Sequence, residues 1–459
     1  MAQGKQPALP KDELRAKGKS LRKQLPRRAH AELKNPERDV VAILEDQHRQ
    51  RLQDLVPVRI GRMLQSPFAF YRGSAAVMAH DLADDAHTGV DVIACGDAHV
   101  ANFGLFATPE RSLTFDLNDF DEASDAPWEW DVKRLATSAL IGALDNGLRT
   151  DQAREIARMC VTGYHWTLRN LMQMSAIDRY YYHGETSWLK ATLDSESQRM
   201  VRRVARKAKR NTSERLLEKI DFDMIDGRLR IVDEPPIMQH VPSITPELSS
   251  ELFKEYLRTV RSDIAVLLSQ FKVIDTVLRV VGVGSVGMRN YIQALVGPGG
   301  EPFFLQIKEA QASVLETYGR KASRLHSPEL RIDQGLHGYR VISSQRTLQA
   351  ASDPFLGYFS SNGWDFYVRQ FRDMKGSLDL SALNADQYEQ YALLCGALLA
   401  RGHSQSLSAA VIDGYLGKSE RFDDAVADWA TAYAEVVQRD FAALEAAVKS
   451  GRLPVERGV

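Results

Sequence analysis

Between residues 275 and 308 the chain reads as three β-rich runs separated by two glycine-rich breaks, and no other stretch restricts the fold as much. The runs are 275–283, Tyr291-Ile292-Gln293-Ala294-Leu295-Val296 and Phe303-Phe304-Leu305-Gln306-Ile307-Lys308. The breaks are Gly284-Ser285-Val286-Gly287 and Gly297-Pro298-Gly299-Gly300, the second a strong turn signal. Short breaks of this kind join neighbouring antiparallel strands, so a β-rich unit is expected here. Most of the remaining chain has helical periodicity, at 39–55, 68–82, 130–144 and onward to about 219, 251–270, 387–404 and 422–450. The expected class is α+β, a helical part with a smaller antiparallel β-rich part.

A second, shorter β signal lies near the start. Val90-Asp91-Val92-Ile93-Ala94-Cys95 fits a buried strand that ends at Gly96-Asp97, and 103–107 and 113–117 read as a hairpin around Thr108-Pro109-Glu110-Arg111. Acidic groups gather at these strand ends: Asp97, then Asp116, Asp119, Asp121 and Glu122, with the amide Asn102 between. Carboxylates and an amide oxygen are the hard ligands Mg²⁺ takes alongside substrate phosphates. A carboxylate beside a substrate hydroxyl can orient it or accept its proton. Taken singly, each acid could merely cap a turn. His99 is a candidate metal ligand or proton shuttle, with loop support by hydrogen bonding as its other use. Trp128 and Trp130 read as core.

The segment Gly282-Val283-Gly284-Ser285-Val286-Gly287 lies between two expected strands rather than before a helix. That context counts against a dinucleotide-binding βαβ unit and suits a loop that covers nucleotide phosphates with its backbone N–H groups. Gly282, Gly284, Ser285 and Gly287 are the candidate contacts. Lys308 closes the third strand, where a phosphate-pairing lysine belongs. Such a lysine needs an acidic partner. Glu316 comes early for that role, and the later helix offers Gln345 but no glutamate, so the partner stays open.

Composition narrows the function classes. Lys+Arg 59 against Asp+Glu 60 gives no global basic surface, so nucleic acid is not the favoured partner. The basic stretch 201–215 reads chiefly as a solvated helix face, with RNA contact as the minor alternative. Cys95, Cys160 and Cys395 are scattered, which argues against disulfides and points to a reducing, cytoplasmic setting. Residues 1–28 lack the apolar centre of a secretory signal, and no run approaches the ~18 apolar residues of a membrane span.

Several segments carry a family resemblance. They are Pro57-Val58-Arg59 through Arg62-Met63, Ser66-Pro67-Phe68-Ala69-Phe70-Tyr71-Arg72-Gly73, Cys95-Gly96-Asp97-Ala98-His99, Asn102-Phe103-Gly104, 115–122, Trp128-Glu129-Trp130-Asp131, 282–287, Gln306-Ile307-Lys308-Glu309-Ala310, and Arg369-Gln370-Phe371-Arg372-Asp373-Met374-Lys375-Gly376. Over nearly its whole length the chain resembles the bacterial domain-of-unknown-function family 2252. The acidic segments also look like the aminoglycoside phosphotransferase and choline kinase branch of the protein-kinase-like fold. That resemblance implies a catalytic Asp97, a metal-binding Asn102, a second metal ligand at Asp119 with Asp116 as the alternative, and a structural Asp131. Cys95 stands where that branch has histidine. The order of the halves is also reversed, since Asp97 precedes the glycine loop.

The resemblance therefore implies a circularly permuted, kinase-like, two-lobe architecture. Residues 1–35 would be a mobile basic arm, and 36–250 a helical lobe bearing the acidic hairpin. Residues 270–380 would be the β-rich nucleotide-binding lobe, and 381–459 the helices that complete the helical lobe. The implied activity is ATP- and Mg²⁺-dependent phosphoryl transfer to an unidentified small-molecule or protein hydroxyl. The alternatives are a kinase-like binding protein without catalysis and a metal-dependent hydrolase using Asp97, His99, Asp116 and Asp119.

Overall fold

The computed structural model describes residues 9–182, 195–210, 217, 220–225, 227–280, 282–322, 336–371 and 374–458. Residues 211–215 of the basic stretch, and Arg372 and Asp373 of the family-like segment, lie outside the described residues.

The chain is α+β with antiparallel sheets. Strand β1 (Asp91–Ala94) leads into the hairpin of β2 (Phe103–Ala107) and β3 (Leu113–Leu117), and β4 (Ser124–Pro127) returns to pair with β1. A second hairpin joins β5 (Phe222–Ile225) to β6 (Arg228–Ile231). The main sheet contains β7 (Met238–Gln239), β8 (Lys272–Arg279), β9 (Asn290–Val296), β10 (Pro302–Ala310), β11 (Gly357–Ser361) and β12 (Trp364–Gln370). Its order is β11-β12-β10-β9-β8-β7, antiparallel throughout. The expected meander is thus β8-β9-β10, with the glycine segment between β8 and β9.

Side-chain alternation gives this sheet two apolar faces. Leu278, Leu295, Leu305 and Val368 pack with Phe253, Tyr256, Ile264 and Leu268 from the helices Pro246–Leu257 and Ser262–Leu268. Val277, Ile292, Ala294 and Phe304 pack the other way, with Ile220, Ile231 and Met238. The largest core joins β1–β4 to the helices Trp128–Asp145, Thr150–Leu171, Ala385–His403 and Arg421–Lys449. Helices from both ends of the described chain therefore share one interior. Trp128 and Trp130 are buried in it, as expected. No helix among the described residues is long and apolar enough to cross a membrane.

Two local expectations change. The described part of the segment expected as a mobile arm is docked. Its helix Lys11–Leu21 lies against the helix Ala409–Leu416, and Arg22 donates to the carbonyls of Tyr415 at 2.8 Å and Gly414 at 2.6 Å. Basic residues that read as solvated instead satisfy the carbonyls left open at a helix C-terminus. The single helix expected over 68–82 is two, Pro67–Gly73 and Ala75–Leu82, with the break at Ser74. Gly73 lies against the Met63 side chain there, leaving no room for a side-chain carbon.

Candidate functional site

Strand β1 ends in a loop held from behind. Asp131, in the first turn of the helix Trp128–Asp145, accepts the backbone N–H of Cys95 at 2.6 Å and of Gly96 at 2.9 Å. His403 stands 3.1 Å from the same carboxylate. An imidazole does support this loop, but it comes from another helix rather than from position 95. Further along, Ser138 accepts the Val100 N–H and Tyr391 donates to the Val100 carbonyl. Gly96 has φ +77°, and a side-chain carbon there would sit 2.1 Å from the Glu122 carbonyl oxygen. Only glycine lets the two acidic segments approach this closely.

That support presents Asp97 and Asn102. Arg134 donates to Asp97 Oδ1 at 2.6 Å, and His99 Nε2 lies 3.8 Å from Oδ2. Burial pushes the His99 imidazole down to about 4, against the pull of Asp97, so the ring is neutral at pH 7. The Asn102 amide nitrogen donates to the Asp97 and Asp119 carbonyls at 3.1 and 3.0 Å. Its oxygen is left as the atom of ligand type.

The partner of Lys308 is not a helix glutamate. From β10 its ammonium donates to Asp121 at 2.6 Å and to Asp119 at 3.2 Å. Tyr367 on β12 donates to the other Asp121 oxygen at 2.6 Å. Burial alone would raise the Asp119 carboxyl, but Lys308, Arg369 and Lys375 hold it well below the usual carboxylate range. Burial and the adjacent Asp119 push Asp121 upward. The Lys308 ammonium is buried, yet Asp119 and Asp121 hold its proton more tightly than usual. Glu122, which accepts the Val314 N–H at 2.7 Å, is pushed up to about 7 by burial. The helix His337–Leu348 contributes Arg340 rather than an acid. Arg340 donates to the carbonyls of Asp121, Ala123 and Gln311 and so fixes the acidic segment in place.

The glycine loop closes the top. Gly282 and Gly287 have positive φ, 71° and 87°. Arg62 donates to the Gly282 carbonyl, Arg51 to the Val286 carbonyl at 2.6 Å, and the Leu52 N–H to the Gly287 carbonyl at 2.7 Å. Beneath the loop lies a cavity of about 240 Å³. Asp97, His99, Asn102, Asp119, Gly282, Gly284 and Ser285 line it, and Lys308 reaches it through Asp119 and Asp121. Gly287 anchors the loop end against Arg51 instead of facing the cavity.

Asp116 is not brought to this cavity. Its carboxylate accepts the N–H of Leu117 and of Ala350, both at 2.9 Å, in a buried capping role. Of Asp116 and Asp119, only Asp119 lines the cavity. Residues given no role in advance also line the cavity, namely Arg51, Arg59, Arg72, Arg369 and Lys375. Arg59, Arg72, Arg369 and Lys375 fall in the family-like segments, which was the available signal.

A family model described as an uncharacterized protein conserved in bacteria, domain-of-unknown-function family 2252, matches residues 51–447. The chain belongs to this family. No curated protein and no solved structure matches it. Apart from Gln47, every residue lining the cavity falls within the span matched to family 2252.

Proposed function

We propose that this chain is an ATP- and Mg²⁺-dependent phosphotransferase with a circularly permuted, kinase-like build, acting on a hydroxyl. One observation carries the reading: the glycine loop, remote in sequence from Asp97, Asn102 and Asp119, lines one cleft with them, and Lys308 is paired to Asp119 at its wall. A strand, a glycine loop, a strand, a lysine-bearing third strand and then a helix is the order that kinases use to cover and pair nucleotide phosphates. Asn102 and Asp119 supply two oxygen donors on one side of the cleft, which fits a cation that completes its shell with phosphate oxygens and water. Mg²⁺ held there would neutralise charge on the transferred group.

The roles follow from position. The loop 282–287 would cover the phosphates, and Lys308 would share its charge between them and Asp119. Asp97 would orient the acceptor hydroxyl through Oδ2, since Arg134 occupies Oδ1. The acceptor oxygen forms the new bond to the γ-phosphorus, the bond from that phosphorus to the ADP oxygen breaks, and the hydroxyl proton passes to Asp97. The described cysteines are buried and unpaired, in keeping with a cytoplasmic setting.

A second reading, a kinase-like binding protein without catalysis, is favoured by the same Arg134–Asp97 pair, which occupies one of the two Asp97 oxygens. Calorimetric titration of the full chain with ATP, with and without Mg²⁺, tests the common premise, and absence of Mg²⁺-dependent binding overturns both readings. Single-turnover release of ADP in the presence of acceptor candidates separates them.

A further inference from the structure

The cleft has two kinds of charged group. Asp119 and Asp121 are balanced by Lys308, and Asp97 is balanced by Arg134. Arg51, Arg59 and Arg72 line the same cleft, none of them in an ion pair among the described residues. Arg59 spends its terminal nitrogens on His48, Gln47 and the Gly73 carbonyl, and Arg51 spends one on the glycine loop. Arg72 donates no hydrogen bond among the described residues, and its Nε is buried without a partner, as are those of Arg51 and Arg59. A buried guanidinium nitrogen without a hydrogen-bond acceptor is costly, and a bound oxyanion removes that cost.

The position of Arg72 says which ligand brings the anion. It lies in the last turn of the helix Pro67–Gly73, where its guanidinium feels the Asp97 charge and in turn acts on His99. A side-chain carbon at Gly284 would lie 3.7 Å from the Arg72 carbonyl oxygen, and Arg134 bridges Asp97 to the carbonyl of Tyr71, the residue before Arg72, so Arg72 adjoins both the loop and Asp97. Arginine also suits a planar, two-point grip on phosphate or carboxylate oxygens.

We propose that Arg72, backed by Arg51 and Arg59, forms an oxyanion subsite for the acceptor, which is therefore a hydroxy compound bearing a phosphate or carboxylate group. This rests on the phosphotransferase reading, and it sets the chain apart from kinases whose acceptors are cationic.

The test is calorimetry on the full chain held in saturating Mg²⁺ and a non-hydrolysable ATP analogue. The probes are glycerol 3-phosphate, glycerate and choline. One of the two anions is expected to bind, which identifies the group as phosphate or carboxylate, and choline is not. Arg72→Ala should weaken that binding by about ten- to a hundredfold, the worth of a charge-assisted hydrogen bond, and Arg72→Lys should restore part of it. The affinity for the ATP analogue should change by less than about twofold, because no nucleotide contact is assigned to Arg72. Binding of choline equal to that of the anions, failure of both anions, or an unaltered Arg72→Ala variant overturns the proposal. So does anion binding that disappears when the analogue is present, since the arginines would then serve the nucleotide's phosphates. If the analogue itself does not bind, the phosphotransferase reading falls. The anion titration of the free chain and of Arg72→Ala, Arg72→Gln and Arg72→Lys then still decides whether the subsite exists. Urea midpoints of the three variants separate a lost contact from a lost fold.

Discussion

The Lys308 ammonium lies 3.2 Å from the Asp119 carboxylate and joins positions 189 residues apart. The same ammonium reaches Asp121, so removing it strands two neighbouring carboxylates. Lys308→Met should cost about 3 kcal/mol, the low end for breaking a buried pair, because Asp119 is 47% exposed and water screens that arm. Urea denaturation measures this cost. Calorimetry should show the affinity for Mg²⁺-ATP falling with it, and an unchanged affinity would separate Lys308 from nucleotide binding.

Asp119→Asn keeps the shape of the side chain and removes its charge. Mg²⁺ should then no longer strengthen ATP binding, while metal-free binding stays near its original value. Titrations with and without Mg²⁺ compare the two directly. Asp116→Asn serves as the contrast. Its carboxylate caps Leu117 and Ala350, so the loss should appear in the unfolding midpoint and not in the Mg²⁺ dependence.

Asp97→Asn should lower single-turnover phosphoryl transfer by about 10²- to 10⁴-fold, the usual worth of a positioned acid or base. Nucleotide affinity should hold within about twofold, since the glycine loop and Lys308 are untouched. Equal turnover in variant and parent would favour the binding-protein reading.

Glu122 gives a pH signature. Burial raises its folded-state value from 4.5 to about 7. Stability from the protonated form is complete below the unfolded value and is lost as pH climbs through about 7. Glu122→Gln cannot ionise, so the gap between variant and parent should widen in the variant's favour from pH 5 to pH 8. Urea midpoints at four pH values across that range supply the curve.

Asp131→Ala should destabilise the chain by about 3 kcal/mol or more, because the buried amides of Cys95 and Gly96 and the His403 ring all lose their partner at once. The thermal midpoint reports it. Cys95→His, by contrast, puts a larger side chain into a fully buried position already served by His403, and should destabilise through overpacking.

The parts of the site that the sequence disclosed are those with local signals. Glycines at 282–287 flanked by β-formers, a lysine ending the next strand, and an Asp-Asn pair after a buried strand each follow short-range rules of backbone and ligand chemistry. Sequence proximity points to a nearby helix for the Lys308 partner, but Glu316 there meets Ser124 and Arg340. Its actual partners precede it by 189 and 187 residues, and pairing at that range leaves no periodicity to read. Arg340 and Arg72 escaped for a related reason. An arginine on a helix looks solvated until tertiary packing buries it, and both are lodged beside acidic groups. The docked helix Lys11–Leu21 is the same case at larger scale, since its basic residues find carbonyls belonging to a helix nearly four hundred positions later.

The loop over the cleft is fastened at three points, through Arg62, Arg51 and the Leu52 amide, and the void beneath it is about 240 Å³. Small-molecule sites run from roughly 300 to 1,000 Å³, so a larger guest would be admitted by outward movement of the loop against those fastenings. Its residence time is then clocked by how often the latch opens, not by how well the guest fits once inside. Arg62, which fastens the loop without lining the cavity, would then govern release as much as any group that touches the guest.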